Sequence, residues 1–138
     1  MTHTALTAGI RHELGGYREH RPVAELARYA ESLWTHRTPA ATSPGGGMHR
    51  VLPDPSLNLA FCCRRDPDGR AIQPRLLVIG PKTRPFLFRF QPGHEIAAVK
   101  VKLEWARALL GLDPADHRDR EDDVACVVCK GRELLGAL

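Results

Sequence analysis

The sequence predicts a mainly β domain, an antiparallel sandwich or barrel followed by helices at its C-terminal end. Three observations predict it. Short apolar strands recur at intervals of about ten residues, with turn chemistry between them. Within those strands apolar and polar positions alternate with a period of two. Beyond Leu103 the spacing changes, and Trp105, Leu109, Leu110 and Leu112 follow a helical period instead.

The organising stretch runs from His49 to Pro85. Leu57, Leu59, Phe61 and Cys63 alternate with Asn58, Ala60, Cys62 and Arg64, as in a strand with two unlike faces. Asp66-Pro67-Asp68-Gly69 supplies a turn, because Pro67 presets φ and Gly69 tolerates a positive one. Leu76 to Ile79 is an unbroken apolar run, the pattern of a strand covered on both sides. A β-hairpin is therefore the expected centre.

The remaining elements follow in order. Residues 1–16 are polar, end in Gly15-Gly16 and read as a loose arm. Tyr17 to His20 reads as a first short strand, and Pro22 opens a short helix from Val23 to about Tyr29. Glu31 to His36 reads as a strand in which Ser32 and Trp34 share a face opposite Leu33. Arg37 to Gly47 is rich in Thr, Pro, Ala and Gly and reads as a surface loop. Phe86, Phe88 and Phe90 line one face of another strand, and Gln91-Pro92-Gly93-His94 makes the next turn. From His94 to Leu103, Ala97, Val99 and Val101 oppose Ala98, Lys100 and Lys102. A short helix then stops near Gly111, Asp113-Pro114 starts a second turn, and His117 to Asp123 is almost wholly charged. Val124 to Leu138 reads as a final helix, with Val127, Val128, Leu134, Leu135 and Leu138 on an apolar stripe suited to dimerisation or relay.

Composition narrows the function classes. With 138 residues the chain is expected to form one domain and to bury roughly two-thirds of its unfolded surface. A net charge of +4 permits an anionic partner, but the cations are spread out rather than gathered in an aromatic-studded stripe. No apolar run reaches membrane-spanning length and no secretory signal opens the chain, so a cytoplasmic protein with reduced thiols is expected. Gly45-Gly46-Gly47 lacks the Gly-Lys-Ser/Thr of a phosphate loop, and Gly80-Pro81-Lys82-Thr83 has the wrong spacing for one. The seven histidines stand alone, without the paired spacing of a metal-dependent enzyme. There is also no nucleophile elbow, and an enzyme is not expected.

Several segments, in order and spacing, resemble the β-domain that precedes the helix-turn-helix part of many AraC-type bacterial transcription regulators. They are Tyr17 with Pro22, Trp34 at the end of a strand, Arg50-Val51-Leu52-Pro53-Asp54, the strand from Leu57 to Phe61, and Gly80-Pro81-Lys82-Thr83-Arg84-Pro85. Ala98-Val99-Lys100-Val101-Lys102, followed by Trp105 to Gly111, completes the resemblance over about residues 17 to 112. Two departures are visible: Pro55 stands where the family has glycine, and Lys102-Leu103-Glu104 replaces a Phe-Pro-Gly segment. The resemblance implies a cupin-like antiparallel barrel or half-barrel over 17–112 that binds a small-molecule effector and forms a homodimer. Residues 1–16 would then be a flexible arm, and 113–138 a helical segment leading to a DNA-binding domain outside this chain. On the resemblance the chain is either an excised N-terminal domain or a stand-alone relative.

In a barrel of this kind a polar group on an apolar strand is a candidate ligand contact. Trp34, Asn58, Cys62, Phe88 and Lys100 are such positions, each with core packing or a solvated face as the ordinary alternative. Arg84, with Lys82, is a candidate for an anionic effector unless Gly80 to Pro85 is simply a rigid corner. Asp54 is a ligand-orienting candidate or a turn residue. A different class is a thiol-based sensor. Cys126-x-x-Cys129 has metal and redox spacing, and with Cys62 or Cys63 it would suit a soft ion such as zinc, mercury or arsenic. Adjacent Cys62 and Cys63 point to opposite faces, however, and cysteine is also a common small buried residue. A stand-alone small-molecule-binding β-barrel is the third reading.

Overall fold

The structure, a computed structural model, describes residues 7–14, 16–39 and 47–124. It is mainly β. Seven antiparallel strands form one open sheet in the order β1-β2-β3-β8-β5-β6-β9. These strands are β1 (Thr7–Leu14), β2 (Tyr17–Pro22), β3 (Ala30–Arg37), β5 (Leu57–Arg65), β6 (Ala71–Ile79), β8 (His94–Val101) and β9 (Glu121–Asp123). A separate two-stranded sheet joins β4 (Gly47–Val51) to β7 (Phe86–Phe90). The large sheet does not close on itself, since β1 and β9 stand at opposite ends of its order.

The predicted β5–β6 hairpin lies inside the sheet, with β5 between β6 and β8. Its first strand buries both faces. Ala60 and Cys62 join Leu77, Ile96 and Ala98 in one core, with Trp34, Ile79 and Phe88 packed against it. Leu57, on the other face, joins Val78, Ala106, Leu112 and Val124, flanked by Leu59, Leu76 and Leu110. The second core is covered by α2 (Leu103–Leu110), which ends at Gly111 in the left-handed conformation (φ 68°). Trp105 of α2 meets the Tyr29 ring edge-on at 4.8 Å, and Arg28 reaches over the indole. Tyr29 follows the short helix α1 (Ala24–Ala27).

The structure departs from the sequence reading at four places. Thr7–Leu14, read as part of a loose arm, is strand β1 and pairs antiparallel with β2. Its mixed composition hides a strand that is specified by pairing rather than by alternation. Strand β6 begins at Ala71, five residues before the apolar run, and carries Pro74. Among the described residues β9 pairs only with Leu77 to Ile79, so Pro74 lies on a stretch of β6 that β9 does not reach, a setting in which proline is tolerated. A bulge between Cys62 and Arg64, with Gln73 at φ 52°, takes up the local irregularity. The turn read at Asp113-Pro114 is a 3-10 turn over Pro114–His117, and the charged run after it ends in strand β9, which its composition does not announce. Leu103 is helical rather than the end of β8. Of the proposed final helix only Val124 lies among the described residues.

Candidate functional site

Period-two geometry and register place a set of side chains on one face of the large sheet. Across the strands, Trp34, Ala98, Ala60 and Leu77 form one transverse row. Ser32, Lys100, Asn58 and Ile79 form the next. The first row is apolar apart from the indole. The second carries three polar groups into the same core face.

Their partners define the site. Trp34 Nε1 donates to Asn58 Oδ1 at 2.8 Å, and its ring lies 5.8 Å from that of Tyr17. Lys100 Nζ sits 3.2 Å from Asp54 Oδ2, and Asp54 Oδ1 accepts the Ser56 N–H at 2.9 Å. Burial works to raise the Asp54 carboxyl, but the Ser56 hydrogen bonds and the Lys100 ammonium outweigh it and hold the group below its usual value. Asp54 and Lys82 are joined as an isolated antiparallel bridge, each donating its N–H to the other's carbonyl. Lys82 Nζ stands 3.5 Å from Glu121 Oε1 of β9 and 4.8 Å from the Phe86 ring centre. Ser32 is fully buried, yet its Oγ has no hydrogen-bond partner among the described residues.

A buried hydroxyl without a partner is costly. Ser32→Ala is therefore expected to raise the unfolding free energy by about 1 kcal/mol in urea titration. A loss of similar size would show that the hydroxyl is satisfied.

Of the residues singled out in the sequence, Trp34, Asn58, Cys62, Phe88 and Lys100 all lie on or against this face. Arg84 does not. It is exposed on the corner between β6 and β7. Ser32, Asp54, Lys82 and Glu121 complete the polar group; Asp54 and Lys82 were candidates in the sequence, Ser32 had a readable signal in its shared face with Trp34, and Glu121 had none. Cys62 is buried among the core residues, and burial pushes its thiol up to about 11. Burial and the Glu95 carboxylate likewise raise the Cys63 thiol, so neither supplies a thiolate at neutral pH. Among the described residues no three His, Cys, Asp or Glu side chains gather in a group that would hold a metal. Cys126 and Cys129 lie outside the described residues, as do Val127, Val128, Leu134, Leu135 and Leu138.

The Gly80 to Pro85 segment is a structural corner that ties down the chain beyond α2. Thr83 donates its N–H to Asp119 Oδ1 at 2.8 Å and its hydroxyl to Oδ2 at 2.5 Å. Asp119 returns its own N–H to the Pro81 carbonyl at 2.7 Å. Gly80 donates to the Arg120 carbonyl at 3.0 Å, and His117 Nδ1 lies 3.1 Å from Asp122 Oδ2. These bonds set the position of β9, and so of Glu121 beside Lys82.

The titrating groups predict two steps in acid stability. Burial, aided by Arg64, holds the His94 pKa below its ordinary 6.5. Between that lowered value and 6.5 the unfolded chain binds more protons, so stability falls as pH drops through this window. Hydrogen bonds from Thr83 to Asp119 and from His117 to Asp122 keep those carboxyls, like Asp54, below 3.8. Their contribution is present above 3.8 and is lost as pH falls through the lowered values. Urea midpoints measured against pH should decline first below about 6.5 and again below about 4. The upper step should vanish in His94→Gln, and its persistence would remove the assignment to His94.

Comparison with known proteins places the chain by family alone. The family described as a domain of unknown function, DUF6597, matches residues 18–122, more than half of the chain, and the chain belongs to it. No curated protein and no solved structure matches it. No helix among the described residues is long and apolar enough to cross a membrane.

Proposed function

We propose that this chain is the effector-binding and oligomerisation module of an AraC-type transcription regulator. In this reading the open sheet and the β4–β7 ribbon are a cupin-like half-barrel. The observation that carries it is the convergence of five sequence-nominated residues, Trp34, Asn58, Cys62, Phe88 and Lys100, on one core face that also holds the buried Ser32, whose hydroxyl has no partner among the described residues. The resemblance in segment order, through the Gly80 to Pro85 corner, supports the same assignment. The ligand is a small molecule, the working unit is a cytoplasmic homodimer, and DNA is contacted by a domain outside this chain.

The mechanism is a population shift. A ligand at the polar row shares the Lys100 ammonium with Asp54, which is bridged through the backbone to Lys82, the partner of Glu121. Glu121 belongs to β9, which runs straight into Val124, so the ligand biases the strand that leads to the C-terminal segment. The reading is tested at the native chromosomal locus with an epitope tag in the gene. Crosslinking and recovery of the tagged protein should enrich promoter DNA, and Lys100→Met should alter transcription from those promoters. Recovery of no DNA above an untagged strain overturns it.

A further inference from the structure

We infer that the row formed by Ser32, Lys100 and Asn58 is a binding site for the carboxylate of a small organic acid. The inference rests on the effector-module reading and names the ligand class of the same face.

Hydrogen-bond valence decides the ligand class. The Trp34 indole can only donate, so its 2.8 Å bond fixes the Asn58 amide with Oδ1 toward the ring. What remains of the Asn58 side chain is the NH2 group, which donates. Lys100 lies directly opposite Asn58 on one side and Ser32 on the other. Its ammonium carries three hydrogens and no acceptor, and Asp54 is its counter-ion among the described residues. One carboxylate contact at 3.2 Å does not use all three hydrogens of the ammonium. The Ser32 hydroxyl rotates to suit its partner and has none among the described residues.

The unspent capacity of the row is therefore donor-rich. A group with several lone pairs and a negative charge satisfies all three residues, and a carboxylate accepts up to about four hydrogen bonds. A ligand hydroxyl would instead bring a hydrogen to a row short of acceptors. Asp54 is held in place by the Ser56 N–H, so an incoming carboxylate joins it at Lys100 rather than displacing it. The Lys82 ammonium, 3.5 Å from Glu121, is a second loosely paired cation linked to Asp54 through the backbone bridge. Entry is at Lys100, whose side chain keeps 18% of its exposure while Ser32 keeps none.

The two tryptophans supply the test. Trp34 is at the row, whereas Trp105 sits on α2 against Tyr29 and serves as an internal control. The 15N-labelled chain is titrated with acetate, butyrate and benzoate, then with acetamide, butyramide and benzamide, then with glucose and ribitol. The acids should move the Trp34 indole N–H signal and leave that of Trp105 in place. Ser32→Ala should weaken the effect about tenfold, as expected for a lost bond to a charged group. Lys100→Met should abolish it. Ser32→Ala removes only a hydroxyl that has no partner among the described residues, so an unchanged affinity in that variant would overturn the site even if Lys100→Met failed to fold. If amides or polyols move Trp34 and acids do not, the carboxylate is overturned while the effector-module reading stands. If nothing in the panel moves Trp34, the carboxylate site is overturned and that reading loses the face on which it rests.

Discussion

Gly80→Ala is expected to cost about 3 kcal/mol or more in unfolding free energy, the largest effect of a methyl group added at any of the described glycines whose surroundings are known. A Cβ built at Gly80 would stand 1.7 Å from the His117 carbonyl oxygen and 2.4 Å from its carbon. Both are backbone atoms, so no side-chain rotation relieves the overlap. The segment cannot simply retreat. It is held by the Gly80 N–H on Arg120, by Thr83 on Asp119, and by the Asp119 N–H on Pro81. Urea denaturation followed by circular dichroism reads the loss, and Gly111→Ala is the informative comparison. Gly111 has a positive φ, but an added methyl there would meet nothing within 4 Å, so that change should cost only about 1 kcal/mol. Equal losses in the two variants would show that close approach at the corner is not what demands glycine at position 80.

Leu57→Ala should cost about 3 kcal/mol, within the range for truncating a buried leucine to alanine. Leu57 has no exposed surface and lies where the sheet meets Val78, Ala106, Leu112 and Val124. Its neighbours belong to a strand, a helix and the chain beyond it, so the cavity left behind cannot close by moving one element. Leu52, by contrast, is 64% exposed, and Leu52→Ala should change stability by less than about 0.5 kcal/mol. If the two truncations cost the same, the sheet does not bury Leu57 against α2 and the segment after it.

The central hairpin was legible because period and turn chemistry are local properties. Leu57 to Arg65 alternates visibly, and Gly69 marks the turn whose φ of 80° it adopts. Helix α2 was legible from Trp105 and its leucines, and its end from Gly111. Strand β1 was not, because Thr7 to Leu14 mixes glycine, charge and apolar residues, and its extended form follows from pairing with β2. Strand β9 was hidden for a related reason. Glu121, Asp122 and Asp123 are poor strand formers, and they extend because β6 offers them an edge at Leu77 to Ile79.

The candidate site divides in the same way. Alternation nominated Asn58, Cys62 and Lys100 and placed Ser32 with Trp34, but it did not say which face of any strand was inside. Residues that look like an outer face in β5, Asn58, Ala60 and Cys62, point into a core, while Phe61 is 46% exposed. A strand covered on both sides offers no single polar face to read. Asp54, Lys82 and Glu121 come from three separate stretches and meet only through the Asp54–Lys82 bridge and the lock on β9.

Local patterning was enough to establish a mainly β chain, a hairpin about Asp66 to Gly69, a helix stopped at Gly111 and a set of polar residues on otherwise apolar strands. Those features depend on spacing within a few residues, where φ preferences and side-chain alternation act directly. It took the assembled fold to show that the sheet stays open, that Gly80 packs against the His117 backbone of the chain beyond α2, and that Ser32, Lys100 and Asn58 share one row. Those outcomes depend on register between strands distant in sequence, which is fixed by burial and backbone pairing across the whole domain rather than by any local pattern.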